Sequence, residues 1–223
     1  MGANHADIKE EIVAACKRLE ELGFVVGTYG NVSVRVPGGL IITPSRVEYS
    51  VLAPDDLVTV SLTGEVVEGH RLPSSEFAVH RGIYPARPDV NAVVHTHSFY
   101  ATTLSCLRQT VPVIVEEQAQ VLGGEIRCTS YVPAGQHEKL SAQVAQTLGD
   151  SNAVLIASHG TVACGPTLPD TMFTCQMVER IAHMRLLTER VGSAIPIETE
   201  FVRSERFRFL YKYGTESDKA LGK

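Results

Sequence analysis

Two histidines separated by one residue stand in Val93-Val94-His95-Thr96-His97-Ser98. Val90, Ala92, Val93 and Val94 lead into them with the character of a mostly buried strand. On a strand, side chains two apart share a face and lie about 6–7 Å apart, so both imidazoles can reach one metal ion. The pair is a weak motif until a third ligand and a carboxylate join it. The third candidate is His159, which follows the apolar run over 153–158 and precedes Gly160. Alone it reads as a hydrogen-bonded core or turn histidine. With His95 and His97 it makes three imidazoles and an open position, the ligand pattern of a catalytic zinc site. The carboxylate is Glu76, in Leu72-Pro73-Ser74-Ser75-Glu76-Phe77. Ser74 and Ser75 at a helix start offer outward hydroxyls and free backbone N–H groups to a phosphate or carboxylate. Glu76 in the same first turn is either a charge favoured by the helix dipole or part of the site.

Two further segments could hold an anion. Gly27-Thr28-Tyr29-Gly30-Asn31-Val32-Ser33 is a glycine-bearing loop entering a strand. It is a tight turn or a backbone N–H cradle, and it has neither the P-loop nor the dinucleotide-binding spacing. Ile42-Thr43-Pro44-Ser45-Arg46 is a strand-to-turn segment whose arginine suits bidentate oxyanion contacts.

The periodicities that must position these groups predict one α/β domain over residues 1–223. Helices are expected over 5–22, 75–86, 98–107, 137–148, 169–191 and 198–212. Strands are expected over 31–36, 39–43, 57–60, 64–67, 90–97, 111–116, 126–131, 153–158 and 161–164. Pro37-Gly38-Gly39 reads as a hairpin turn and Gly160 as the turn between the last two strands. Strands fall in the middle with helices around them, which predicts a mixed, mainly antiparallel sheet covered by helices.

Apolar residues make up 44% of the 223 and charged residues 20%, as in a globular protein with a substantial core. A net charge of −5 with no block of like sign argues against nonspecific binding to nucleic acid or anionic membranes. No apolar run reaches spanning length, and the charged, helix-periodic residues 1–22 lack the core of an export signal. Five widely spaced cysteines without C-x-x-C read as reduced thiols in a cytoplasmic protein. No feature marks Lys17 or Lys139 as a buried Schiff-base amine.

Taken in order, Gly30-Asn31-Val32-Ser33, Ile42-Thr43-Pro44-Ser45, Pro73-Ser74-Ser75-Glu76, Asn91-Ala92-Val93-Val94-His95-Thr96-His97 and Ser158-His159-Gly160 resemble the class II aldolase/adducin-head family. The resemblance runs from about residue 8 to Gly214. It implies a three-layer α/β/α fold assembled as a C4 homotetramer, with active sites between subunits. It implies Zn2+ held by His95, His97 and His159, with Glu76 a ligand at rest and the catalytic acid/base once substrate binds. Imidazole ligands also admit Mn2+ or Co2+. It implies a phosphate site from Gly30, Asn31, Ser45, Ser74 and Ser75. Tyr213 matches a family tyrosine that reaches the neighbouring subunit's site as a proton donor; otherwise it is an exposed tail aromatic. The family's fuculose branch implies reversible cleavage of a ketose 1-phosphate, a phosphorylated sugar, to dihydroxyacetone phosphate and an aldehyde through a zinc-stabilised enediolate.

Two departures from that branch bear on substrate. Arg46 replaces a glycine, and so adds a phosphate contact or favours a carboxylate-bearing substrate. Glu116 stands where the branch has a tyrosine implicated in proton donation; it is either a catalytic replacement or a solvated charge at a strand end. A decarboxylase of 3-oxo-acid phosphates or a pentulose-phosphate 4-epimerase would use the same kind of site. A non-catalytic, adducin-like structural head would be expected to lack the three histidines that this chain keeps.

Overall fold

Alternation along the central strands divides the apolar residues between two faces. The computed structural model describes residues 4–212. Helix α1 (His5–Glu21) comes first, then strands β1 (Asn31–Val36), β2 (Gly39–Ile42), β3 (Val58–Ser61) and β4 (Val66–Glu68). Helix α2 (Phe77–Ala86), strand β5 (Ala92–Thr96) and helix α3 (Phe99–Leu107) follow. Strand β6 (Arg127–Cys128), helix α4 (His137–Leu148), strands β7 (Ala153–Ile156) and β8 (Gly160–Gly165), then helices α5 (Leu168–Val191) and α6 (Thr199–Tyr211) complete the order. The eight strands form one sheet in the order β4-β3-β2-β1-β5-β8-β7-β6. Every pairing is antiparallel except β6 with β7.

Ile41, Ala92, Val94 and Ala163 pack with Ile12, Cys16 and Leu19 of α1 and Met172 and Cys175 of α5. Their sequence neighbours Leu40, Ile42, Val93, Val162 and Cys164 pack on the opposite face with Val79 and Ile83 of α2 and Leu140 and Val144 of α4. One-residue alternation therefore puts helices on both faces, and the expected three-layer α/β/α architecture with a mixed, mainly antiparallel sheet is present. The β1–β2 hairpin turns at Pro37-Gly38, where Gly38 has φ +80°. Helix α3 has no side-chain cap of its own. Instead Glu179 of α5 accepts from the amides of Tyr100 and Ala101, both at 2.9 Å, placing a carboxylate at the positive end of the helix.

Three local expectations change. The predicted strand 111–116 does not form. Val111 makes only an isolated bridge with Ile126, and the chain then winds into a π-helical turn, Gln118–Leu122. The buried Gln118 side chain takes the place of a neighbouring strand: its Oε1 accepts from Ile114 N, and its Nε2 donates to the carbonyls of Val111 and Gly124. The predicted strand 126–131 shrinks to two residues. The turn before β8 is made by Ser158, with φ +55°, while Gly160 belongs to the strand itself.

Candidate active site

Strand β5 lies between β1 and β8, with His95 paired to Asn31 on one side and Val162 on the other, and Thr96 to Thr161. His159 immediately precedes β8, so this adjacency alone brings it beside the His95-x-His97 pair. The three rings meet with every pair of centroids 4.9 Å apart, at interplanar angles of 75°, 75° and 89°. Their ligand nitrogens lie within 4.8 Å of one another. Gly160 allows this approach. A Cβ there would lie 2.4 Å from the Thr96 carbonyl oxygen and 3.0 and 3.2 Å from the rings of His97 and His95. Gly30, immediately ahead of β1, is crowded by backbone and core instead: a Cβ there would lie 2.5 Å from Val25 Cγ1 and 3.1 Å from the His95 carbonyl oxygen.

Glu76 is the residue just before α2, and its carboxylate enters the same space. Oε2 lies 3.2 Å from His95 Nε2 and Oε1 3.2 Å from His159 Nε2. Asn31 Nδ2 donates to Oε2 at 2.8 Å. Burial pushes the carboxyl pKa up, but the imidazoles of His95 and His159 and the Asn31 amide outweigh it and hold it well below the usual range. Glu76 is therefore a carboxylate at neutral pH.

The donor set fits a divalent cation. His95 Nδ1 is 3.0 Å from the Thr161 carbonyl, an acceptor that commits this nitrogen to carry the proton. Its Nε2 lone pair is then directed at His97 Nε2, 3.0 Å away, and at Glu76 Oε2. Lone pairs crowded this closely need either a proton or a metal between them. Burial pushes the pKa of His95 down and that of His97 down to about 3, so a bound cation would be the favoured occupant of that space over a proton. Imidazole nitrogens with one carboxylate suit zinc, and the Nδ1–H···O=C contact is the usual way such a ligand is oriented.

These buried rings also set an acid limit. His80, fully buried beneath the site, has its pKa pushed down to about 3 by burial. Below about pH 6.5 the unfolded chain takes up protons that the folded chain refuses. Metal-free protein should therefore lose stability as pH falls from 6.5 toward 3, by about 1.4 kcal/mol per pH unit for His80 alone. Denaturant midpoints between pH 7 and 4.5 check this; a flat profile would contradict neutral burial of these rings.

A cleft of about 540 Å³ opens beside the cluster, and Glu76, His97 and His159 line it. Gly30, Asn31, Ser45, Arg46, Ser74 and Ser75 line it too. An isolated bridge between Pro44 and Pro73 joins their segments, with Ser45 N donating to Leu72 O and Ser74 N to Thr43 O. Ser74 differs from expectation: its side chain is buried, and its Oγ accepts from Glu76 N at 3.3 Å. The hydroxyl proton is thereby left for the cleft. Arg46 has φ +61°, so an arginine holds a left-handed conformation that glycine takes without strain. Glu116 is exposed and is not among the residues lining the cleft of this chain. Tyr213 lies outside the described residues. Tyr131 to His137, which carry no recognisable chemical motif, line the cleft as well. Pro133-Ala134-Gly135, immediately ahead of α4, was their one signal in the sequence.

A sequence profile described as the Class II Aldolase and Adducin N-terminal domain matches residues 10–186. An L-fuculose phosphate aldolase of Haemophilus influenzae is 37% identical over 194 residues, covering 87% of this chain and 89% of the relative. A 5-methylthioribulose-1-phosphate/5-deoxyribulose-1-phosphate aldolase of Rhodospirillum rubrum is 35% identical over 222 residues, covering 99% and 97%. A solved structure of an L-fuculose 1-phosphate aldolase superposes with a TM-score of 0.89 at 32% identity, covering 95% of this chain and 99% of that one.

Proposed function

The chain belongs to the class II aldolase and adducin family, and on that premise we propose that it is a zinc-dependent aldolase cleaving a ketose 1-phosphate to dihydroxyacetone phosphate and an aldehyde. L-Fuculose 1-phosphate and the 5-deoxy- and 5-methylthio-ribulose 1-phosphates are the substrate candidates, because aldolases named for them resemble this chain at 35–37% identity. The observation that carries the reading is the ionised Glu76 carboxylate set among three imidazoles whose lone pairs converge.

His95, His97, His159 and Glu76 would hold the ion. When bound, a divalent cation supplies Lewis-acid polarisation of a carbonyl substrate. The chain's own residues do the remainder. Ser45, Ser74, Ser75 and the Gly30–Asn31 segment bind the phosphate, with the Arg46 guanidinium adding a fixed positive charge. This grip, remote from the breaking bond, orients the substrate. Glu76, held beside His95 and His159 and facing the cleft, carries a proton to the carbon that loses its partner. Glu116 and Tyr213 remain proposed proton donors. Tyr213 would act from a neighbouring subunit in a C4 tetramer. Val26, Tyr29 and Leu72, exposed around the cleft segments, suit such an interface.

Arg46 also supports a second reading, since a cation at the cleft can hold a substrate carboxylate as well as a phosphate. That would favour a decarboxylase, or an epimerase, built on the same groups. One experiment decides between them. Zinc-loaded protein is offered the three ketose 1-phosphates and 3-oxo-acid phosphates. Dihydroxyacetone phosphate is expected from at least one ketose. Carbon dioxide without aldehyde, or a C4 epimer without cleavage, would replace the aldolase assignment.

A further inference from the structure

Beneath Glu76 lies a buried polar ladder that neither metal nor phosphate binding accounts for. Glu76, His80 and Tyr84 are spaced four apart across the start of α2. Asn31, Ser33 and Arg35 are spaced two apart on β1. Four helical residues rise about 6 Å and two strand residues about 6.6 Å, so the two series stay in step. The contacts follow that match. Asn31 Nδ2 meets Glu76 Oε2 at 2.8 Å, and Asn31 Oδ1 meets His80 Nε2 at 2.5 Å. Ser33 Oγ meets His80 Nδ1 and the Tyr84 hydroxyl, both at 2.7 Å. Arg35 Nη2 donates to the Tyr84 carbonyl at 2.8 Å. His80 and Tyr84 have no solvent exposure, and Ser33 has none.

The direction of each bond follows from the carboxylate end. A carboxylate only accepts, so Asn31 must present its NH2 to Glu76 and its carbonyl oxygen to His80. A carbonyl also only accepts, so His80 Nε2 must carry the proton. His80 Nδ1 is then an acceptor, Ser33 donates to it, and Tyr84 donates to Ser33. One pattern of protons satisfies every link. A neutral His80 is required, and burial supplies it.

We propose that His80 is a positioning residue: by donating from Nε2 to Asn31 Oδ1 it fixes the orientation of the Asn31 amide, and so holds the Glu76 carboxylate in its place among the three histidines. This rests on the aldolase reading for its kinetic consequence, but not for its structural one. Hydrogen-bond partners one step behind a site's ligands typically change affinity or activity by about 10–100-fold when removed.

Two substitutions separate the ring's two nitrogens. His80→Gln puts an amide NH2 near the Nε2 position and can still donate to Asn31. His80→Asn reaches only the Nδ1 position and cannot. With wild-type protein cleaving its ketose phosphate, His80→Asn should lower kcat about 10–100-fold with KM changed less than about threefold, and His80→Gln should recover most of the loss. Equal losses in both variants, or a loss confined to KM, would overturn the proposal. A readout independent of activity is the 15N shift pair of the His80 ring in metal-free wild-type protein. The Nε2–H tautomer is expected, and an Nδ1–H tautomer would overturn the proposal even if neither variant folds. If the wild type cleaves no sugar phosphate but shows Nε2–H, the aldolase reading fails while the ladder stands.

Discussion

His95→Ala should strip the protein of its metal. Stringently dialysed wild type is expected to retain about one divalent ion per chain, and the variant less than a tenth of that. Cleavage of the ketose phosphate should fall at least about 1000-fold, because Lewis-acid stabilisation at the reacting oxygen is commonly the largest single contribution in such a site. The size follows from the geometry. His95 is almost wholly buried, and the Thr161 carbonyl leaves its Nε2 as a lone-pair donor facing Glu76 and His97. No other described side chain is positioned to replace it in the His95–His97–His159 cluster. Equal metal content in variant and wild type would reject the whole assignment of the site.

Glu76→Gln separates metal binding from proton transfer. The variant keeps the side chain's shape and an oxygen for the ion but loses the charge and the basicity. Metal content should remain above half of wild type at saturating zinc. Cleavage should fall about 10²- to 10⁴-fold, the usual contribution of a general acid–base group. Solvent exchange of a carbon-bound proton of dihydroxyacetone phosphate should fall in parallel, since that exchange needs the base and no aldehyde. Deuterium incorporation followed by proton NMR reads it directly. Exchange at the wild-type rate in the variant would move the proton-transfer role to another residue.

Both expectations rest on groups whose chemistry was legible before any coordinates. His95 and His97 declare themselves by strand spacing at the end of an apolar run. An α/β domain with helices covering a mixed sheet follows from the alternation of helical and strand periods, while the three-layer arrangement was implied by the family resemblance. The phosphate-binding candidates were legible as short polar segments at element ends, and six of them line one cleft. Arg46 was legible as a departure, although its left-handed backbone was not.

Sequence alone determined which residues could ligate, accept a proton or hold a phosphate, because those properties belong to residue type and to spacing within one helix or strand. The tertiary structure alone decided the strand order β1-β5-β8, which carries Asn31 and His159 to opposite sides of His95. That order is set by the packing of distant apolar faces, which no local window contains. The need for Gly160 likewise lies in a carbonyl and two rings from another strand, not in its own turn. Gln118 cancels a predicted strand because its buried amide supplies the hydrogen bonds that a neighbouring strand would have offered. The ladder under Glu76 was written in the sequence as two series, one of period four and one of period two. Only the packing of α2 across β1 brought them into step.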